Sequence, residues 1–434
     1  MRALVSYPGN LCDARQAALA FHERGALATF VTGLVLDEDS FIRDVSRAFG
    51  LAALDERLRL EFGRRAVPEI PRDQVICYPW LEGLRTLFAR YSKNPILADL
   101  AWDAMSFKFD RTVARRHLDG VDLVYAYEYT ARATFERAKD RGCACILGVP
   151  SLDSLEFENI KNREESQFPD LKTKYDTYFS RRFKIRYARR RAETALADLI
   201  IANSELTRCS HIRAGADPNK VVVVPAAAPP PIEAIEPRHS SHDKSLVVIW
   251  AGTVSVRKGA HYLFNSWRAL RAGKKARVQV YGQVALPEQV LRPLPEGLEL
   301  LGSVPQQQLW AAYDQADILV FPTLSDGFGG VVLEAFSRGV PVITTPSAGA
   351  SQFVEHGKNG IIVQPADAAA LTQALSWCLD NREALYQMRF AALETARHWQ
   401  WHDHRRMLID KVAEKLKVAS CAFGPWLQAS GVSA

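Results

Sequence analysis

Several things are scarce in this chain, and each scarcity narrows what it can be. No apolar run reaches the length of a membrane span, so nothing here reads as a transmembrane helix. The opening Met1-Arg2-Ala3-Leu4-Val5-Ser6-Tyr7 has the pattern of a short strand rather than a secretory leader. Cysteine shows no pairing pattern: Cys12, Cys77, Cys143, Cys145, Cys209, Cys378 and Cys421 are odd in number and lack zinc-type spacing. Neither a disulfide scaffold nor a zinc module fits, and Cys143-Ala144-Cys145 sits in an apolar run as core, which points to a reducing compartment. Charge of one sign is also modest, +6 net from 55 Lys and Arg against 49 Asp and Glu, and says little about partners by itself. The expected location is the cytoplasm, at most touching the inner face of the membrane. What remains is 434 residues, 48% hydrophobic, enough for two domains each with its own core.

The first half opens as an alternating β/α pattern. Residues 2–7 read as a strand, 14–24 as a helix stopped by Gly25, and 27–32 as a second strand, the start of a parallel sheet. Gly9 follows the first strand, where such sheets place a ligand-facing loop, although a plain turn explains it equally well. Residues 40–118 break the alternation and read as a helical insertion. The aromatics Trp80, Phe88, Tyr91, Trp102, Phe107 and Phe109 recur there, either as core or as a wall for a second substrate. The pattern resumes with strands at 121–127 and 144–148 around a helix at about 129–140. Residues 152–176 are acidic and read as a solvated helix face.

Next, residues 181–191 pack seven cations into eleven positions. This run reads as a solvated basic face or as a contact with anionic lipid head groups or a pyrophosphate-linked molecule. No nucleic-acid motif accompanies it. Strand 197–201 then leads to Ser204 as a helix cap. After strand 220–224, four prolines fall within residues 225–231 and forbid sheet or helix, marking a domain boundary. The expected division is residues 1–228 with a returning C-terminal segment at about 401–434, and residues 229–400.

The second half centres on residues 318–334: a buried strand Ile318–Phe321, then Pro322-Thr323-Leu324-Ser325-Asp326-Gly327-Phe328-Gly329-Gly330, then a helix opening near Gly330 and carrying Val331 and Glu334. Glycines at 327, 329 and 330 let backbone amides approach a ligand, and the helix's positive end favours a phosphate or sugar oxygen. Asp326 and Glu334 bracket the turn, two carboxylates able to grip hydroxyl pairs. A second loop, Gly252-Thr253-Val254-Ser255-Val256-Arg257-Lys258-Gly259, follows strand 245–250.

Residues 326–334, with Ser337-Arg338-Gly339-Val340-Pro341-Val342-Ile343 after them, resemble the acidic-x7-acidic signature of retaining glycosyltransferases of the GT-B fold, family 4. The loop at 252–259 is similar to that family's Gly-Arg-x-x-x-x-Lys-Gly, with Thr253 at the Arg position. Asp326 stands where Glu is usual, and Tyr127 and Glu128 occupy the neighbourhood of a usual His. The resemblance implies two Rossmann-like domains facing across a cleft and a nucleotide sugar as donor substrate. It implies no cofactor, no metal and no nucleic acid. Glu334 would take the ribose, Lys258 with Arg257 and the Gly252–Thr253 segment the phosphates, and Asp326 with the amides around Phe328, Gly329, Gly330 and Val331 the donor sugar. Gly9 would face the donor. The acceptor would be a glycan or lipid-linked molecule of cell-surface polysaccharide synthesis, with Tyr127 and Glu128 on its side. The alternatives are a nucleotide-sugar epimerase of the same fold and a non-catalytic binding partner, the latter motivated by Thr253, Asp326 and the missing His.

Overall fold

Strands that are apolar along their whole length require cover on both faces, and two sets of them organise this molecule. In a computed structural model the first set is β1 (Ala3–Tyr7), β2 (Leu27–Thr32), β3 (Val75–Cys77), β4 (Leu123–Tyr127), β5 (Ala144–Val149), β6 (Leu199–Ala202) and β7 (Val221–Val223). They form one sheet in the order β3-β2-β1-β4-β5-β6-β7, every pairing parallel. The second set is β8 (Leu246–Ala251), β9 (Ala276–Tyr281), β10 (Leu298–Gly302), β11 (Ile318–Phe321), β12 (Val342–Thr344) and β13 (Gly360–Ile362). Its order is β10-β9-β8-β11-β12-β13, again parallel. The structure describes residues 1–35, 67–79, 94–235, 245–417 and 420–424. The segments read as helical at 41–61 and 81–90, with Trp80, Phe88 and Tyr91, lie outside the described residues.

In the first half the helices are α1 (Cys12–Glu23), α2 (Pro95–Arg116), α3 (Arg132–Lys139), α4 (Ser154–Gln167), α5 (Lys174–Leu196) and α6 (Glu205–Arg213). Their starts carry the expected chemistry. Asn94 caps α2 ahead of Pro95, Thr173 and Asp176 close a capping box on α5, and Ser204 caps α6 through the Thr207 amide. In the second half are α7 (Ala260–Leu270), α8 (Gln306–Gln315), α9 (Val331–Ser337), α10 (Ala368–Asp380), α11 (Arg382–His398) and α12 (Trp401–Lys415).

In each sheet the strand order reverses at one place, β1 beside β4 and β8 beside β11. The loops at those carboxyl ends are where a parallel sheet offers a crevice. The chain crosses between the two halves twice, and the crossings pair. The Ala228 amide donates to Trp399 O at 3.2 Å, and Trp399 Nε1 donates to Ala226 O at 3.1 Å. From there α12 returns to the first sheet, where Leu408, Ile409, Val412 and Ala413 join the core of α1 and Arg405 reaches Glu23 and Gln16 at 2.8 and 2.7 Å.

Two sequence expectations are overturned here. The acidic stretch is not a solvated face: Glu164 is fully buried, accepting from Tyr262 Oη at 2.9 Å and lying 3.2 Å from His261 Nε2, both on α7. Burial alone would raise its carboxyl, but the hydrogen bonds from His261 and Tyr262 outweigh that and hold it low. Nor are residues 181–191 a free basic face throughout: Arg181 and Lys184 are exposed, but Arg182, Arg186 and Arg189 turn inward. Arg186 pairs with Asp99 and, at 2.9 Å, with Asp103; Arg182 meets Asp103 at 2.9 Å; Arg189 pairs with Asp110 and, at 3.3 Å, with Glu193. These carboxylates are nearly dry, so the cations neutralise charge that has no water to do so. Among the described residues no helix is long and apolar enough to cross a membrane.

Candidate functional site

The site grows from the turn after β11. Buried Phe321 ends the strand, and the Asp326 amide donates to Ser347 O at 2.9 Å while Asp326 O accepts from the Gly349 amide at 3.1 Å. This short parallel bridge ties the turn to the loop after β12 and fixes where the Asp326 carboxyl emerges. Gly330 then caps α9, and Glu334 falls in its first turn. The amides of Phe328, Gly329 and Gly330 donate to no backbone carbonyl among the described residues. They are the orphan donors that a helix start offers an anionic or hydroxylic ligand.

The second loop arrives from β8. Gly259 has φ of +74°, and a Cβ there would lie 2.0 Å from Pro322 O. Only glycine lets this loop sit against the end of β11. That approach carries Lys258 onto Asp326 as an ion pair, its ammonium 4.8 Å above the Phe321 ring. Arg257 donates to Ser325 O at 2.8 Å and stands 3.9 Å from Asp326. Burial first, and then the Arg257 charge, push the Lys258 ammonium well below its ordinary value. Contact with the Asp326 carboxylate works the other way, and a second anion in the cleft would add to it. Burial likewise lowers Arg257.

Asp326, Lys258 and Arg257 are therefore together. Glu334 lies further along α9 with a different partner: its Oε2 accepts from Tyr313 Oη, on α8, at 3.5 Å. Burial, reinforced by Glu334, holds Tyr313 protonated as a donor. Sequence reasoning missed Tyr313, because its partner lies 21 residues away on another helix.

Other expected positions are placed differently. The Phe328 side chain is core, edge-on to Phe353 at 6.3 Å, leaving only its backbone for a ligand. Thr253 is exposed, and Val331 is partly exposed on the first turn of α9. Gly252 has φ of +121°, which turns the loop out of β8. Gly9 is packed rather than open: a Cβ would lie 2.9 Å from the Tyr7 ring and 3.4 Å from Trp102. The helix start beside it is at Cys12, whose thiol burial pushes up to about 11. Tyr127 is also core, 5.4 Å from Tyr7 and 5.3 Å from Tyr125. Glu128, one residue on, reaches the space between the sheets.

The two halves meet at the turn itself. Gly327 O accepts from Ser204 Oγ at 2.5 Å and Thr207 Oγ1 at 3.1 Å, at the start of α6. A Cβ on Gly327 would come within 2.5 Å of Pro150 O and 2.6 Å of Ser151 Cα. The glycine is thus needed for contact across the cleft, a role its local sequence does not announce. Among the described residues no group of three His, Cys, Asp or Glu has the arrangement to hold a metal ion.

With this geometry in hand, comparison with known proteins places it. Residues 245–381 match the family described as "Glycosyl transferases group 1". The chain is similar to a D-inositol 3-phosphate glycosyltransferase of Streptomyces scabiei, 28% identical over 253 residues, covering 48% of this chain and 56% of that protein. It also resembles a probable sucrose-phosphate synthase 5 of rice, 30% identical over 145 residues, 33% of this chain and 13% of the relative. These matches span less than two thirds of the relatives' own length. In three dimensions it is similar to Anabaena Alr3699/HepE, crystallised with UDP-glucose: TM-score 0.59 at 17% identity, covering 95% of this chain and all of that one. The shared architecture is the GT-B fold of two Rossmann-like sheets.

Proposed function

We infer from the group 1 glycosyl transferase domain at residues 245–381 that the chain is a glycosyltransferase, moving a hexose-type sugar from a nucleotide sugar to a glycan or lipid-linked acceptor. The observation that carries this reading is the Lys258–Asp326 pair at the mouth of the turn that opens α9. A cation there answers the charge that develops on a departing diphosphate, in a cleft dry enough to strengthen the interaction. Asp326 and the amides of residues 328–330 suit the hydroxyls of the transferred sugar. Glu334, steadied by Tyr313, suits a ribose diol. Binding requires Lys258 to share itself between Asp326 and the phosphates. HepE was crystallised with UDP-glucose, which makes a UDP-sugar the first donor to try.

The reaction we propose retains anomeric configuration without a metal. The bond from the sugar's anomeric carbon to the diphosphate oxygen breaks, and the bond to the acceptor oxygen forms on the same face. The acceptor's proton passes to the leaving phosphate oxygen, so no side-chain base is needed. The test is a panel of UDP-, GDP-, ADP- and dTDP-sugars read by thermal shift, nucleotide release and product NMR. A donor that stabilises the protein and releases nucleotide supports the reading. Release of an epimer without acceptor would identify an epimerase instead, and binding without any turnover a non-catalytic partner.

A further inference from the structure

A cavity of 350 Å³ opens between the two halves beside Asp326, within the size range of a small-molecule site. Arg257, Ser325 and Asp326 line one side. On the other, α4 contributes Phe157 and α5 contributes Phe179 and Phe183. Phe179 and Phe183 are four residues apart and share a helix face. Phe157 meets Phe179 edge-on at 6.2 Å, and Phe183 stacks on Tyr187 at 5.4 Å. These contacts hold the rings as a wall.

Set into that wall is Glu128, whose side chain is 6% exposed. One carboxylate oxygen faces Arg190 at 3.3 Å. The other, Oε1, is buried with no hydrogen-bond partner among the described residues. An ionised oxygen in that position accepts and never donates, so it is satisfied by a molecule bringing O–H or N–H. On the cationic side Arg186 is held by Asp99 and Asp103 with its Nε left over, Arg190 faces Glu128 itself, and Arg257 donates to Ser325 O.

We propose that this cavity is the acceptor subsite and that it takes a neutral hydroxylated ring, a pyranose or cyclitol. One ring hydroxyl donates to Glu128 Oε1, and the C–H face of the ring lies against the Phe179–Phe183 wall. A phosphate in the same place would set anionic oxygens against a carboxylate, with no hydrogen between them. The proposal rests on the glycosyltransferase reading and adds the chemistry of the second substrate, together with the residues that select it.

The experiment uses the full chain with whichever donor the panel identifies. Transfer is measured to methyl β-glucopyranoside and myo-inositol, and to their phosphorylated counterparts glucose 6-phosphate and inositol 3-phosphate. Neutral rings are expected to be the better acceptors. Phe183→Ala and Glu128→Ala should each raise the acceptor KM about tenfold or more, with kcat changed less. Glu128→Gln should recover part of the loss, because its amide carbonyl still accepts; a purely structural role for Glu128 would give no such graded KM. Arg181→Ala, on the exposed side of α5, serves as the control. A wild-type protein that hydrolyses a nucleotide sugar but prefers the phosphorylated rings, or transfers to neither, overturns the acceptor assignment and leaves the donor reading standing. A protein that binds no nucleotide sugar overturns both.

Discussion

Helix α5 and the paired loops at the ends of β8 and β11 are both dense in charge, yet they use it differently. On α5 the cations are matched inward against Asp99, Asp103, Asp110 and Glu193, the pairs largely buried and held by more than one partner. At the loops, Lys258 has one carboxylate, Arg257 takes a carbonyl, and Glu334 has a weak contact from Tyr313. The first arrangement ties α5 to α2 inside one half, although Arg182 Nε and Arg186 Nε donate to no partner among the described residues. The second gathers its charge on the loops after β8 and β11, at the carboxyl ends of the strands, where a parallel sheet offers a crevice to a ligand. Charge density alone therefore does not mark a site; its place in the fold does.

That contrast can be broken experimentally. Arg186→Ala should cost about 3 kcal/mol of stability, because among the described residues it leaves Asp99 with only the Tyr175 hydroxyl and Asp103 with only Arg182 and the Tyr129 hydroxyl. Denaturant unfolding measures it, and a loss no greater than that of Arg181→Ala would mean the pairing adds nothing to stability. Glu334→Ala should leave the melting temperature nearly unchanged while reducing transfer on the order of 10²-fold through lost donor positioning. Near-normal turnover would remove Glu334 from the site.

A third test uses pH. Burial first lowers His404 from its ordinary 6.5 to about 4, where Nδ1 lies 2.7 Å from Pro225 O at the crossing. The unfolded chain takes up the proton at higher pH than the folded one, so stability should fall as pH drops from 6.5 toward 4, by about 2 kcal/mol at pH 5. His404→Gln should flatten that part of the profile; an unchanged profile would show that other groups produce it. Smallest is Gly327→Ala. Its Cβ would press on Pro150 and Ser151, so the halves should part slightly, with scattering showing a larger radius and transfer falling about tenfold. An unaltered radius with full activity would mean the docking is incidental.

What could be read from the sequence follows the same division. Both sheets, the Gly330 helix start and the loop ending in Gly259 depend on neighbours in sequence, and periodicity or capping announces them. The pairs of α5 with Asp99, Asp103 and Asp110 join residues 79 to 87 positions apart, so the same cations read equally well as a lipid contact. Tyr127 and Phe328 sit beside ligand-facing backbone but turn their rings into the core, a matter of strand pleat and packing that spacing does not reveal. In sequence Glu128 is marked only by its place after β4, and its orphan oxygen belongs to the folded chain alone.

The return of α12 to the first sheet has a consequence for how the molecule is made. Leu408, Ile409 and Val412 complete the hydrophobic layer under α1, each such side chain contributing about 1.5–3 kcal/mol when buried. The N-terminal half therefore cannot finish folding until residues 408–413 have left the ribosome, against the usual order in which early domains settle first. A chain stopped near residue 400 would lose the layer under α1, more than three hundred residues upstream of the break.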